Sequence, residues 1–340
     1  MNRRAHVLPL FTSALLGLGA CGDDETATAS GLDGGTAPDA SAPTASLGGG
    51  GGLDAAIEPG FMAVSLRFKA EVSGEDFACG RTYAGQGSTK VAARPADFRF
   101  FVERVRLVTR AGVEVPLQLL ERAPHQTSEV ALIDFTGGDG ACVAGSTPAN
   151  TVLTGKAPVG DYSGVVFSNG VPEALNHADP TAAPPPLRAP GVNWSWLRGY
   201  RFFLASLQVA PQADGGATGD GGVASPSDVG PDGGAVEGGA HGDSAGVGIV
   251  HVGALSCTGG VGVGFSCAKP NRNEVRLTGF DPATSTIVAD LGAVFADVDL
   301  VQGVVCHVGG EDYCGRVFPS IGLDLATGAA LPTQRVFHVE

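Results

Sequence analysis

Histidine, cysteine and tryptophan are the residues of this 340-residue chain that could carry unusual chemistry. Both tryptophans fall in one tripeptide, Trp194-Ser195-Trp196. In an extended strand they would share a face, because side chains alternate with period two. Six cysteines follow Cys21: Cys79, Cys142, Cys257, Cys267, Cys306 and Cys314. An even number in an exported chain reads as a disulfide set. Fifteen pairings are formally open; the locally closed set, Cys257–Cys267 and Cys306–Cys314 with Cys79–Cys142 as the long closure, is the expected one. No CxxC pair suggests thiolate metal ligation, and no CxxCH suggests a covalently held haem. Met62 is the only methionine beyond the initiator, so a methionine-rich copper site is excluded. Imidazole is then the main soft or borderline ligand, and it suits copper and zinc.

The histidines beyond His6 are His125, His177, His241, His251, His307 and His338. His177 lies in the turn-like Pro172-Glu173-Ala174-Leu175-Asn176-His177-Ala178-Asp179-Pro180. His251 lies in Ile249-Val250-His251-Val252-Gly253. Taken singly, each imidazole reads equally as an ordinary hydrogen-bonding group. Motifs for catalysis are missing. No serine sits in a Gly-x-Ser-x-Gly elbow, and neither HExxH nor a phosphate-binding glycine loop occurs. The expectation is a binding protein, not an enzyme.

These residues must be placed by a β framework. Val64, Leu66 and Phe68 alternate with Ser65, Arg67 and Lys69. Phe98, Phe100 and Val102 share one face, and Val105 and Leu107 resume it one residue out of phase, which predicts a bulge. Further strand-like runs cover 130–135, 162–168, 194–209, 249–255, 274–280, 286–289 and 336–339. The stretch 290–302 is the only helix candidate of any length. Many short strands with turn signals predict a mostly β fold, an antiparallel β-sandwich or irregular barrel braced by disulfides.

Two segments stand outside that framework. Residues 1–20 combine Arg3 and Arg4 with an apolar run too short to span a membrane, as in a secretory leader. The following Cys21 resembles the lipidated cysteine of a bacterial lipoprotein, which predicts a chain anchored to a membrane through lipid and facing the periplasm. Residues 21–60, with five glycines at 48–52 and no aromatic residue, read as a disordered tether. The β domain is then 61–340, with a Gly/Asp-rich insert at 210–247 read as a disordered loop. The leader holds two of the 21 basic residues; tether and insert hold seven and six of the 35 acidic residues and no Lys or Arg. The formal net charge is −14, yet the body is left near −3. Such a body has no basic field for nucleic acid.

Several stretches are ordered along the chain in a recognisable way. They are Phe77-Ala78-Cys79-Gly80, Asp97-Phe98-Arg99-Phe100-Phe101-Val102 and Val130-Ala131-Leu132-Ile133-Asp134-Phe135. Gly170-Val171-Pro172 with Leu175-Asn176-His177-Ala178-Asp179 comes next. Trp194-Ser195-Trp196 with Gly199-Tyr200-Arg201-Phe202, His251-Val252-Gly253 with Cys257, and Pro270-Asn271-Arg272 complete the series. Together they resemble the MbnP-like WxW family of bacterial copper-binding envelope proteins over roughly 61–340. The resemblance implies one Cu(I) ion and a partner di-haem enzyme of the MauG and cytochrome c peroxidase type. That enzyme converts the first tryptophan of the motif, here Trp194, to kynurenine. It further implies His177 and His251 as imidazole ligands, with Trp196 as a packing neighbour or partner-facing relay. An indole nitrogen only donates a hydrogen bond; ring opening frees an amine with a usable lone pair. The chain departs from the family at His251-Val252-Gly253-Ala254-Leu255-Ser256-Cys257, where His-Leu-Gly-Ser-Thr-Gly-Cys is usual, and at His307, where a Met-Ser after the cysteine is commoner.

Overall fold

The long strand Val91–Thr109 is the spine of a nine-stranded sheet. Its partners include Val130–Asp134, Tyr162–Asn169 and Phe203–Val209. The computed structural model describes residues 57–137, 141–142, 148–195, 198–211, 245–260, 263–307 and 312–340. A second sheet of six strands is built on Phe61–Val72, which pairs antiparallel with Val152–Pro158. The two sheets face each other across a core of alternating side chains. Val64, Leu66 and Phe68 come from one sheet, and Phe98, Phe100, Val102 and Phe167 from the other. Phe68 meets Phe100 and Phe167 edge-on at 5.9 and 6.0 Å, and Phe337 meets Phe100 at 5.2 Å. Such T-shaped pairs add to the hydrophobic term because ring edges are positive and faces negative.

The mostly β expectation is met, and all three expected disulfides are present: Cys79–Cys142, Cys257–Cys267 and Cys306–Cys314. The expected bulge is also there. Pairing with Tyr162–Asn169 shifts register between Glu103 and Arg106, and Arg104 adopts a positive φ of 54°. One residue is thereby looped out, and both Val102 and Val105 reach the core.

Three details differ from the sequence reading. Two strand pairs run parallel: Phe61–Val72 with Thr286–Asp290, and Val247–Val252 with Val304–His307. The run 194–209 is not one strand. It breaks into Asn193–Ser195, Gly199–Tyr200 and Phe203–Val209. Gly199 makes the break, with φ of +78° and a missing Cβ that would lie 2.6 Å from Asn176 Oδ1. The helix candidate contracts to Leu291–Val294, capped by the Asp290 carboxylate, which accepts from the Gly292 amide. The leader, the tether up to residue 56 and residues 212–244 of the insert fall outside the described residues; the ends of the insert, 210–211 and 245–247, are described, and Val247 already opens the Val247–Val252 strand. No helix among the described residues is long and apolar enough to cross a membrane.

The spine strand is buried on its second face too. Phe101, Val130 and Leu132 form a smaller core with Val171, Leu187, Val192, Tyr200 and Phe202. The segment 171–202 and the hairpin Leu255–Gly260/Gly264–Lys269 therefore cover the outer face of the sheet. Arg99, only 1% exposed, lies on this covered face. Its Nε and Nη2 donate to the two Asp97 carboxylate oxygens at 2.7 and 2.6 Å, and Nη1 donates to the Pro190 carbonyl at 2.7 Å. The fork satisfies both charges where water is excluded, and it ties the cover to the sheet.

Phe100 touches five aromatic neighbours at the centre of the main core. Phe100→Ala is expected to destabilise the protein by about 3–5 kcal/mol through lost transfer energy and a cavity. Urea unfolding followed by near-UV circular dichroism checks this.

Candidate metal centre

Alternation decides which side chains reach the outer face. Val250 and Val252 point into the main core, so His251 between them points outward. Val304 and Cys306 also face the core, which sends His307 outward on the neighbouring strand. The parallel register sets His251 directly opposite His307. Adjacent strands lie about 4.8 Å apart, and the two rings meet at 4.9 Å between centroids, edge to face. The Cys306–Cys314 bridge, buried in the core, pins the edge strand that carries His307.

The pair ends a row that runs across the sheet. Asp134 pairs with Arg99, Arg99 with Leu204, Leu204 with His251, and His251 with His307. Both imidazoles are held neutral. Burial lowers His251 well below its ordinary value, helped by the charges of Arg201, His307 and Arg99. Burial, then Arg201 and Arg198, lowers His307 to about 4. A neutral imidazole has one nitrogen lone pair free to bind a metal. His251 Nδ1 is moreover sealed from solvent with no hydrogen-bond partner among the described residues. Leaving a buried polar atom unmet costs about 1–3 kcal/mol, which a bound cation at this atom would relieve.

Trp194 flanks the pair. It lies in a two-stranded ribbon, Asn193–Ser195 with Gly199–Tyr200, and is half-buried, outside the main core. Gly253, just past the end of the strand that carries His251, leaves the space that the Trp194 ring fills. A Cβ there would collide with the indole and lie 2.5 Å from the Tyr200 carbonyl oxygen. The Arg201 guanidinium sits over the indole at 5.3 Å and donates from Nη1 to the Gly191 carbonyl at 2.7 Å. Burial pulls Arg201 down to about 10, so it remains a cation at neutral pH. Trp196 lies outside the described residues.

His177 has a different setting. It follows the short helix Glu173–Asn176 and stacks on Phe265 at 4.1 Å and 17°. Its Nε2 lies 3.1 Å from Asn176 Nδ2 and 3.5 Å from Cys267 Sγ. Asn176 Oδ1 in turn accepts from the Tyr200 amide at 3.0 Å, so the His177 turn is tied to the Trp194 ribbon. Ligand atoms of His177, Cys257 and Cys267 lie within 4.8 Å of one another, the only such group of three or more among the described residues. His177, His251 and His307 therefore do not converge on one point. The two sulfurs are joined to each other, and a disulfide sulfur is no thiolate ligand.

Of the other histidines, His338 is exposed and His125 is buried in a turn, where burial lowers its pKa. His307 is the residue that the sequence reading left aside. Its signal was present as a departure from the family pattern beside Cys306. What paired it with His251 is a parallel strand register that no local pattern announces.

Comparison with known proteins places this geometry. No curated protein matches the chain. Residues 62–308 match the family profile described as MbnP. Among solved structures, MbnP from Methylosinus trichosporium shares the fold with a TM-score of 0.65 and 29% sequence identity, over 82% of this chain and 98% of that one. A family match across most of the body, agreeing with the solved fold, settles the assignment: the chain belongs to the MbnP family.

Proposed function

We propose that this protein binds one copper ion as Cu(I) at the His251–His307 pair beside Trp194, in the service of copper homeostasis or acquisition. The observation that carries the reading is the pair itself. Two neutral imidazoles face each other, and one has a buried nitrogen with no partner. Copper supplies a soft cation that accepts few nitrogen ligands. His177, the other imidazole implied by family resemblance, belongs to the turn that docks the Trp194 ribbon through Asn176.

The charge around the pair favours the monovalent ion. Arg201 and Arg99 act electrostatically on His251, and Arg201 and Arg198 on His307, while the nearby Asp97 carboxylate is occupied by Arg99. A fixed positive charge opposes Cu(II) twice as strongly as Cu(I). The half-buried position of Trp194 supports the modification that the family implies. A di-haem enzyme of the MauG and cytochrome c peroxidase type, using an oxidant of the dioxygen or peroxide class, would cleave the C2–C3 bond of its pyrrole ring with gain of two oxygen atoms. Hydrolysis of the resulting N-formylkynurenine would release the ring carbon as formate and leave kynurenine. The freed amine would lie beside the imidazoles, and Trp196 would face the partner. Cys21 would carry the lipid that holds the protein at the envelope, with the near-neutral body facing the periplasm.

Three experiments test this reading. His307→Gln should weaken Cu(I) binding by more than about two orders of magnitude, beyond the roughly 10–100-fold that loss of an outer-shell group costs. The exposed control His338→Gln should leave it unchanged, as read by competition with a chromogenic Cu(I) chelator. Trp194→Phe should fold normally, since most of the packing volume is kept. It should nevertheless bind copper weakly after co-expression with the cognate di-haem enzyme, while wild-type peptide mass spectra show one carbon lost and oxygen gained at Trp194. Equal affinity in mutant and wild type sinks the kynurenine role. Arg201→Gln removes a charge that discriminates against Cu(II). The Cu(II)/Cu(I) potential should fall by an amount corresponding to ~1 kcal/mol, measured by redox titration.

A further inference from the structure

We propose that the Cys257–Cys267 bridge is the oxidised form of a second metal site, in which two thiolates and the His177 imidazole hold one Zn(II) or Cu(I) ion. This site is distinct from the His251–His307 pair and does not depend on the copper reading. Its three ligand atoms already lie within 4.8 Å of one another, with His177 Nε2 3.5 Å from Cys267 Sγ. A Cys2His set is a soft to borderline donor group, matched to these two cations.

The surroundings hold the site in place. Cys257 and Cys267 are directly opposite on the antiparallel strands Leu255–Gly260 and Gly264–Lys269. Opening the bridge therefore leaves both sulfurs fixed by the ladder. Phe265, two residues from Cys267, stacks on the His177 ring and sets its plane. Asn176, whose amide meets Nε2, is anchored separately through its Oδ1 to the Tyr200 amide. A metal at Nε2 would take the place of the Asn176 amide while that anchor persists.

Access at both ends sets this bridge apart. Both of its cysteines are half-buried, on a hairpin whose intervening Thr258, Gly259 and Ser266 are exposed. Of the other bridges, Cys306–Cys314 is buried at both residues, and Cys79–Cys142 joins a half-buried Cys79 to a buried Cys142. A dithiol reductant reaches Cys257–Cys267 first. Its thiolate attacks one bridge sulfur and the other leaves as thiolate. The reductant's second thiol then resolves the mixed disulfide. Two electrons enter the protein, the reductant departs as its own disulfide, and metal binding releases the remaining thiol protons.

The test uses the full chain with a mild dithiol under anaerobic conditions. Two thiols should appear before any others, identified by alkylation at Cys257 and Cys267. One added equivalent of Zn(II) should then bind in equilibrium dialysis, and Co(II) in its place should give a thiolate-to-metal absorption band. His177→Phe keeps every cysteine and an aromatic ring against Phe265; it should weaken Zn(II) binding about tenfold or more. His307→Gln should leave this equivalent intact, so a failure of the copper site does not touch it. The proposal is overturned if another bridge opens first, if reduction adds no zinc, or if His177→Phe binds zinc as well as wild type.

Discussion

The Val91–Thr109 strand is buried on both faces, and most of the structure answers to that constraint. One face contributes Phe98, Phe100 and Val102 to the main core. The other carries Asp97, Arg99 and Phe101 under a cover made by the segment 171–202 and a hairpin. A charged side chain on a covered face must be neutralised where it stands, because an unpaired buried ion costs several kcal/mol. The Asp97–Arg99 fork does this within one strand, and its third arm reaches the Pro190 carbonyl of the cover. The sheet therefore presents an ordered second surface, dry enough to hold two imidazoles neutral and apolar enough to seat an indole. The proposed metal centre is a property of this outer layer. The main core acts on it only by deciding, through strand alternation, which residues point outward.

The same layer joins motifs that are far apart in the chain. Asn176 accepts from Tyr200 and fills the space that Gly199 leaves open. Gly253 gives the Trp194 ring its place. Both glycines are needed for close approach, one also for a left-handed backbone. The two histidines of the recognisable motifs thus have separate neighbourhoods. His251 belongs to the sheet row that ends at His307, and His177 to the hairpin with the Cys257–Cys267 bridge.

Much of the fold was legible in the sequence. Alternation in Phe61–Val72, the phase slip between Val102 and Val105, and the locally closed cysteine pairs all carry their own physical signal, and each has its counterpart in the structure. What escaped was non-local. Parallel pairing of Val247–Val252 with Val304–His307 has no hairpin turn to announce it. Residues 194–209 read as one strand-like run, because the break depends on Asn176 crowding Gly199 from a distant turn. The candidate site shows the same division. Trp194 and His251 were visible through motif and residue type, whereas His307 was visible only as an oddity beside Cys306. Its role depends on a register that is set after the chain has folded.

That register has a consequence for the order of events in the cell. Half of the imidazole pair is carried by an edge strand near the C-terminal end, on the residue next to a bridged cysteine. A chain not yet folded through this strand lacks that half, and a chain whose Cys306–Cys314 bridge is open loses the pin that holds it. On the proposed copper reading, metal capture at this pair would be the closing act of maturation: a molecule that carried the ion there would report, by carrying it, that oxidative folding is complete.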